Sequence, residues 1–263
     1  MYNAVVSNLR IKKQAGIFKA SAANIIGGLN HLLWPAVCMN CNVSTGEENG
    51  GLCSSCWQDI ASQSAPEYCR RCGRQVAEYG KIDGACAACA QETIHFDGIA
   101  RSGIYDGILR RMILSFKNGS TQFDKILALL LNAALEGSAF ASQIEYFEPV
   151  PLHWMRRLNR GFNQSYLLAK HIKVKQKRID TDLVRIRRTK RQAMMASPAQ
   201  RARNVAGAFS VRPNNGLRGR TICLVDDIKT TGATLNECAR VLKNAGAEKV
   251  YALVVAVAAQ AHK

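Results

Sequence analysis

The chain has 263 residues, ten of them cysteine, and a formal net charge of +17. This length allows one substantial hydrophobic core together with a small accessory module. No apolar run is long enough to cross a bilayer, and no apolar stretch with a small-residue cleavage site follows the amino terminus, which argues against membrane-spanning and secreted classes. We therefore expect a soluble, cytoplasmic protein without a transmembrane segment.

The positive charge is concentrated in one part of the chain. Residues 156–220 contain 18 Lys or Arg, against only Asp180 and Asp182. An ordinary solvated surface mixes both signs, so this block indicates a polyanionic partner, either a nucleic acid or a pyrophosphate-bearing substrate. Because one small phosphorylated ligand needs only a few cations, the surplus favours nucleic acid.

Residues 1–33 form a basic, loosely amphipathic extension. An additional helix, a segment on a membrane surface and a start codon placed too early are all open alternatives. We expect a partly ordered extension without a catalytic role.

Four C-x-x-C pairs define a small module, which we assign to residues 34–93. Their members are Cys38, Cys41, Cys53, Cys56, Cys69, Cys72, Cys86 and Cys89. One such turn directs two thiolates at an ion and a second completes a tetrahedral shell, so the pairs predict two closed, structural zinc sites. Pairing neighbours is simplest, although the spacing also permits first with third and second with fourth. The regular spacing favours zinc over iron–sulfur clusters. Redox-active pairs would begin a helix in a βαβ unit, a pattern that is not seen around these cysteines.

Residues 94–263 alternate between strand and helix patterns, which predicts an α/β domain with a mainly parallel sheet. Strands are predicted at 99–105, 144–151 and 250–259, and helices at 107–116 and 123–135. Lys117 follows the first of these helices. A surface lysine is the commoner outcome at such a position, and contact with a ligand is the alternative.

The most informative stretch is TICLVDDIKTTGAT, at residues 221–234. The β-branched run at 222–225 predicts a buried strand, and residues 232–246 have helical spacing. The threonines therefore lie at a helix N-terminus, where backbone N–H groups and the helix dipole favour a phosphate. Asp226 and Asp227 can accept hydrogen bonds from a sugar diol or hold hydrated Mg²⁺. The stretch predicts a sugar-phosphate site, since an ATPase would need a G-x-x-x-x-G-K-[ST] loop that the sequence lacks.

A second anion site is predicted where a loop runs into a helix over residues 153–170. Arg156, Arg157 and Arg160 surround Gly161, and arginine forks suit the oxygens of pyrophosphate. A solvated basic turn is the alternative. Asn163 is predicted to cap the helix that follows.

Residues 225–234 resemble the signature of the type I phosphoribosyltransferases: an apolar strand, two acids, an apolar residue and a threonine-rich loop around glycine. The resemblance implies that Asp226 and Asp227 are catalytic residues that contact the ribose hydroxyls of phosphoribosyl pyrophosphate. It also implies that a loop wraps the 5′-phosphate. That loop consists of Lys229, Thr230, Thr231, Gly232, Ala233 and Thr234.

Further segments narrow the resemblance. A Val-Pro strand precedes R-x-x-R-G-F-N-Q, and Gln192 is followed by R-x-x-N-x-x-G-A-F from Arg201. With the four C-x-x-C pairs, they make residues 34–258 similar to the ComF family, in which a double zinc ribbon precedes a phosphoribosyltransferase-like domain with helices on both faces of its sheet. The resemblance implies a pyrophosphate loop at 153–161, formed by Arg156, Arg157, Arg160 and Gly161, and a mobile loop at 190–204. It identifies no catalytic base.

The ComF family acts in bacterial competence and in the use of DNA as a nutrient. With the charge surplus, the resemblance implies binding of phosphoribosyl pyrophosphate with Mg²⁺ and of single-stranded DNA, and other DNA-uptake proteins as partners. The residues predicted for the mobile loop and the nucleic acid are Arg187, Arg188, Lys190, Arg191, Arg201 and Arg203. They form either a lid over the phosphates or an exposed basic hairpin. A transferase acting on an unidentified acceptor and a ligand-responsive regulator are the alternatives.

Overall fold

The structure, a computed structural model, describes residues 36–45, 50–64, 67–76, 81–82, 85–174, 178–190, 192–213 and 216–259. The extension at residues 1–33 and the predicted nucleic-acid residue Arg191 lie outside these ranges. Two compact units, Met1–Ser62 and Gln63–Lys263, divide the chain between its two groups of cysteines. The domain boundaries expected after residues 33 and 93 stay predictions.

The first unit is built around the four amino-terminal cysteines. Val37 and Ser44 form an antiparallel bridge, so the first C-x-x-C pair lies in a tight turn. The second pair begins helix α1, Ser54–Ser64, which buries Cys56. A segment this short buries few apolar side chains, so we expect metal binding to supply much of its folding free energy.

The second group of cysteines repeats this turn within the second unit. Tyr68 and Gln75 form the bridge. The elements that follow are β1 (Lys81–Ile82), β2 (Ala85–Cys86) and α2 (Ala87–Ala90). Gly73 has a φ of +81°, and a Cβ at this position would lie 3.2 Å from both Ile99 and Val257 of the main sheet. This cysteine turn therefore packs directly against the sheet.

The main sheet is parallel. The remaining strands of the described chain are β3 (Gly98–Ile104), β4 (Tyr146–Pro149), β5 (Arg178–Ile179), β6 (Leu183–Arg185), β7 (Phe209–Val211), β8 (Thr221–Lys229) and β9 (Lys249–Val257). The order across the main sheet is β3-β9-β8-β4-β5 with every pairing parallel, whereas β6 and β7 form a separate antiparallel ribbon. Strands β8 and β9 are buried along most of their length. The predicted mainly parallel sheet is confirmed.

Helices pack on both faces of this sheet. The helices that follow the second cysteine turn in the described chain are α3 (Gly107–Lys117), α4 (Asp124–Glu136), α5 (Trp154–Arg160), α6 (Gln164–Lys170), α7 (Pro198–Val205) and α8 (Ala233–Asn244). Helix α8 shares a core with Ile222 and Leu224 of β8. Because side chains alternate along a strand, Cys223 and Val225 lie on the other face, where α4 and α6 contact β9 and β8. No helix among the described residues is long and apolar enough to cross a membrane.

Two local expectations differ from the structure. Residues 154–160, expected as loop, form helix α5, because the His153 Nδ1 accepts a hydrogen bond from the Met155 N–H at 3.4 Å and starts the helix. Gly161, with a φ of +79°, ends it. Strand β8 continues past Val225, its predicted end, and pairs with β9 as far as Lys229. The acid pair therefore lies within a strand.

Candidate functional site

Each group of cysteines brings four sulfur atoms together. Within the groups Cys38, Cys41, Cys53, Cys56 and Cys69, Cys72, Cys86, Cys89, all Sγ atoms lie within 4.8 Å of one another. Two Sγ pairs are 3.6 and 3.7 Å apart in the first group, and two are 3.6 Å apart in the second. A tetrahedral Zn²⁺ with sulfur at about 2.3 Å needs sulfur–sulfur separations of about 3.8 Å, so both groups fit a closed structural zinc site. In the structure the first C-x-x-C turn therefore groups with the second, and the third with the fourth, which is the pairing of neighbouring turns.

A crevice of about 860 Å³ opens in the second unit, where β4 and β8 end. Side chains from distant parts of the sequence line it: Lys117, Arg156, Arg160, Ser165, Arg185, Arg201, Asp226, Asp227, Thr230 and Thr234. In parallel α/β sheets, ligands bind outside the carboxyl ends of the strands. The acid pair, members of the threonine loop and two of the predicted arginines therefore meet in one site.

The acid pair is held by residues from two helices. The Ser165 hydroxyl of α6 donates to Asp226 Oδ1 at 3.0 Å, and the Nζ of Lys117, which ends α3, lies 2.9 Å from Asp227 Oδ2. Burial, and next the charge of Asp227, raise the pKa of Asp226 to about 7. Two carboxylates this close together repel each other, and a bound cation relieves the repulsion, so the pair fits hydrated Mg²⁺. Their oxygens can also accept hydrogen bonds from a sugar diol. Lys117 is a residue of the crevice.

The threonine loop joins β8 to α8. Gly232 is the residue that precedes the helix, and its φ of +85° is a conformation that side chains other than glycine rarely adopt. The Ala233 N–H donates to Thr231 Oγ1 at 3.4 Å, and residues 230–235 border a small hollow beside Asp226. The first turn of α8 thus offers backbone amides and hydroxyls to a phosphate.

Lys229 was predicted in the same loop, but it is the last residue of β8. It borders the small hollow, yet only 4% of the residue is exposed. Its side chain passes close to Gly232, since a Cβ on that glycine would lie 2.8 Å from the Lys229 Cε. The pattern alone placed Lys229 beyond the strand, whereas pairing to β9 continues through it. Its predicted contact with the 5′-phosphate stays a prediction.

Helix α5 carries the predicted arginine set. Arg156 and Arg160 line the crevice, whereas Arg157 is exposed and does not. The Arg156 Nη2 donates to the Thr189 carbonyl at 2.7 Å, and the Arg160 Nη1 donates to Gln164 Oε1 at 3.1 Å. Hydrogen bonds therefore orient two guanidinium forks in the crevice, an arrangement suited to pyrophosphate oxygens.

Arg185 and Ser165 line the crevice, although no sequence motif places them there. Arg185 ends β6, with its guanidinium carbon 5.0 Å from the centre of the Phe209 ring. Burial, and then the charge of Arg156, lower the pKa of Arg185 to about 10. An anion between these two arginines would relieve their repulsion. The only sequence signal for Arg185 is its place before the basic stretch, and Ser165 has none.

The predicted mobile loop reaches across to the threonine loop. The Gln192 Nε2 lies 3.5 Å from Thr234 Oγ1, and Arg201 lines the crevice. The Asn204 side chain holds the loop ends together: its Oδ1 accepts from the Lys190 N–H at 3.1 Å, and its Nδ2 donates to the Lys190 carbonyl at 3.0 Å. This arrangement favours a lid over the crevice rather than an exposed basic hairpin.

A basic face lies beside the crevice. It comprises the exposed residues Arg187, Arg188, Lys190 and Arg203. A hollow of about 490 Å³ next to them is lined by His153, Met155, Arg156, Arg188, Thr189, Lys190 and Met194. Trp154, Ile186 and Met194 are 62%, 63% and 69% exposed. Cations interleaved with exposed aromatic and apolar side chains are typical of surfaces that bind single-stranded nucleic acid.

Comparison with known proteins matches both parts of the chain. A double zinc ribbon domain matches residues 29–94, which include both cysteine groups, and a phosphoribosyl transferase domain matches residues 158–263, which include the acid pair. Competence protein F of Haemophilus influenzae is 31% identical over 220 residues, or 81% of this chain and 93% of that protein. DNA utilization protein YhgH of Escherichia coli K12 is 29% identical over 222 residues, or 82% and 94%. Competence protein ComFC of Bacillus subtilis is 34% identical over 98 residues, or 37% and 38%.

Proposed function

Because the chain belongs to the ComF family of competence and DNA utilization proteins, we propose that its crevice binds phosphoribosyl pyrophosphate with Mg²⁺ and that its basic face binds single-stranded DNA. One observation carries the proposal: a single crevice contains an acid pair, threonines at a helix N-terminus and oriented arginines. These groups match the ribose diol, the 5′-phosphate and the pyrophosphate of that ligand, respectively. The protein then acts in the cytoplasm, during DNA uptake or the use of DNA as a nutrient.

Each wall of the crevice has its own part in binding. Asp226 and Asp227 accept hydrogen bonds from the ribose, while the amides of the first turn of α8 hold the 5′-phosphate. Arg156, Arg160 and Arg185 surround the pyrophosphate. Asp226 and Asp227 would hold Mg²⁺, which would supply positive charge to offset that of the pyrophosphate. Lys117, which pairs with Asp227 at 2.9 Å, gains a second anionic partner when the ligand enters.

The basic face suits a longer polyanion. Its exposed cations lie just before or within the loop that reaches Thr234 through Gln192. The two binding surfaces share that loop, and Arg156 contributes to both the crevice and the outer hollow. Occupancy of the crevice should therefore alter the position of cations that contact DNA, which makes the two ligands thermodynamically linked.

The test is single-stranded DNA binding at several salt concentrations, with and without phosphoribosyl pyrophosphate and Mg²⁺. The variant is Asp226→Ala/Asp227→Ala, and the control is Glu248→Ala, which removes an exposed carboxylate. We expect DNA binding to weaken steeply with salt, and the small ligand to shift it in wild type and control but not in the double variant. Absence of DNA binding at every salt concentration would contradict the nucleic-acid part of the proposal.

A transferase activity is the second candidate function. The observation that favours it is the convergence of Arg156, Arg160 and Arg185 in the crevice, where they would stabilise the charge of departing pyrophosphate. The assay is pyrophosphate release from phosphoribosyl pyrophosphate and Mg²⁺ in the presence of single-stranded DNA or free nucleobases. Release that requires the acceptor and disappears in Arg185→Met supports transfer to that acceptor. No acceptor-dependent release leaves binding as the activity.

A further inference from the structure

Lys229 is a buried lysine that has no part in the ligand binding proposed above. Lysine is among the residue types most rarely enclosed by protein, and its burial needs a compensating charge. Lys229 ends β8 immediately before the threonine loop, and its side chain lies against Gly232, with Nζ 3.3 Å from the Cβ position of that glycine. Its carbonyl accepts a hydrogen bond from the Ala258 N–H at 2.9 Å.

Lys229 lies on the face of the sheet that the second cysteine turn covers. It pairs with Val257 of β9, and a Cβ on Gly73, the residue after Cys72, would lie 3.2 Å from the Val257 side chain. Paired residues of neighbouring strands point to the same face, so the lysine and this turn share one side of the sheet. Burial lowers the pKa of Lys229, so its ammonium form needs a negative charge nearby. Four thiolates around one Zn²⁺ carry a net negative charge, and the metal-loaded turn would supply it.

Direct contacts also join this cysteine turn to the helix that holds the phosphate. Asn236, in the first turn of α8, accepts a hydrogen bond from the His95 N–H at 2.6 Å and donates to the Thr93 carbonyl at 3.0 Å. Between these residues, Ile94 packs against both the cysteine cluster and the core that contains α8. The segment that leaves Cys89 is therefore fixed to the N-terminal end of α8.

We propose that Lys229 is a positioning residue that couples the second cysteine site to the threonine loop. Its ammonium group is held by the negative charge of the zinc–thiolate centre, and its methylene chain supports the loop beneath Gly232. When the metal is lost, the charge that retains Lys229 is lost with it, and the loop no longer presents its amides to a phosphate. The inference rests on the proposed function, because it assigns the second zinc site a role in sugar-phosphate binding.

The experiment uses the full-length, zinc-loaded protein and two readouts. The first is zinc release to a chromogenic chelator, and the second is calorimetric binding of ribose 5-phosphate. The variants are Lys229→Met, Lys229→Arg and, as a control with an exposed lysine, Lys125→Met. We expect Lys229→Met to release one of two zinc ions at least tenfold faster and to bind ribose 5-phosphate at least tenfold more weakly. Lys229→Arg should recover most of both properties.

The outcomes separate this inference from the proposed function. If Lys229→Met matches Lys125→Met in both readouts, the coupling is wrong. If wild type binds neither ribose 5-phosphate nor phosphoribosyl pyrophosphate with Mg²⁺, the small-ligand part of the proposed function fails, and the zinc-release comparison alone decides whether Lys229 is tied to the metal. If Lys229→Met does not fold, Asn236→Ala replaces it, since this change removes the two hydrogen bonds to residues 93 and 95 while leaving the lysine in place.

Discussion

The two walls of the crevice are built in different ways. On one wall, β8 and α8 place the acids and threonines on backbone that is fixed by sheet pairing, and Asp227 is only 6% exposed. On the other wall, α5 and the predicted mobile loop carry arginines that are oriented by single hydrogen bonds and that continue into an exposed basic face. A fixed wall selects one small ligand, whereas exposed cations bind many polyanions in a salt-dependent way. Small-ligand and DNA affinities should therefore respond to different mutations.

The largest effect is expected on the fixed wall, from Gly232→Ala. The new Cβ meets the Lys229 Cε at 2.8 Å, and the φ of +85° disfavours alanine. Backbone strain of about 1–2 kcal/mol, together with displacement of the loop amides from the phosphate, should weaken ribose 5-phosphate binding on the order of 100-fold. Calorimetry measures this change, while DNA binding without the small ligand should stay within about twofold.

Gly246→Ala is the matched control for this substitution. Gly246 lies just past the other end of α8 and has a φ of +100°, so alanine there carries similar backbone strain far from the threonine loop. A comparable loss of ribose 5-phosphate binding in both variants would mean that general destabilisation, and not the geometry of the loop, explains the effect.

The second prediction concerns the basic face. We expect Arg188→Ala/Lys190→Ala/Arg203→Ala to weaken single-stranded DNA binding roughly 30-fold at low salt and to reduce the salt slope by about 2, since each lost phosphate contact removes about 0.7 from the slope. Fluorescence anisotropy over a salt series measures both quantities. Ribose 5-phosphate binding should be nearly unchanged, because none of the three residues lines the large crevice.

A charge-matched variant makes this second test specific. Arg110→Ala/Lys125→Ala/Lys173→Ala removes the same number of exposed cations from elsewhere in the second unit. If both triple variants lose DNA affinity equally, DNA responds to the overall charge of the protein, and the basic face is not a defined binding surface.

The third prediction separates stacking from charge on the same wall. Trp154 is 62% exposed and lies at the start of α5, next to the outer hollow. Base stacking on an aromatic ring contributes about 1–3 kcal/mol, so Trp154→Ala should weaken single-stranded DNA binding about tenfold without changing the salt slope. Leu158→Ala, at a position 72% exposed on the same helix, is the control that cannot stack. Equal losses in the two variants would point to general apolar contact instead.

The sequence revealed the fixed wall better than the other one. Asp226, Asp227 and the threonines are contiguous, so local pattern and turn chemistry were enough to predict that they lie together, as they do in the crevice. Lys117, Ser165 and Arg185 enter the crevice from α3, α6 and β6, and only the order of strands brings them together. Sheet topology is a long-range property that no local pattern contains.

Two further differences have local causes. The pattern ended strand β8 at Val225, since charged residues follow, yet parallel pairing to β9 extends to Lys229 and places that side chain among buried groups. The arginine turn was expected as loop, but the His153 ring accepts the Met155 N–H and starts a helix. That helix separates Arg157, which is exposed, from Arg156 and Arg160, which line the crevice.

The smallest expected effect is a pH-dependent change in stability at the fixed wall. Burial and Asp227 raise the pKa of Asp226 to about 7, above its ordinary value of 3.8. Between these values the folded state binds the extra proton, so this group lowers the stability of the folded protein as pH rises from about 4 to 7. Asp226→Asn removes the buried charge, and its melting temperature should exceed that of wild type by a few degrees at pH 8.5 but by less at pH 5.5.

Ligand binding should show the opposite dependence on the same group. Wild-type affinity for phosphoribosyl pyrophosphate with Mg²⁺ should increase as pH rises through 7, because the cation prefers the ionised carboxylate, whereas Asp226→Asn should bind weakly with little pH dependence from this group. Glu248→Gln, which changes an exposed carboxylate, should follow wild type in both measurements. A lower melting temperature for Asp226→Asn at both pH values would show that the Ser165 hydrogen bond, and not the buried charge, dominates the contribution of Asp226 to stability. That result would make the acid pair a structural element of the fixed wall as well as a binding one.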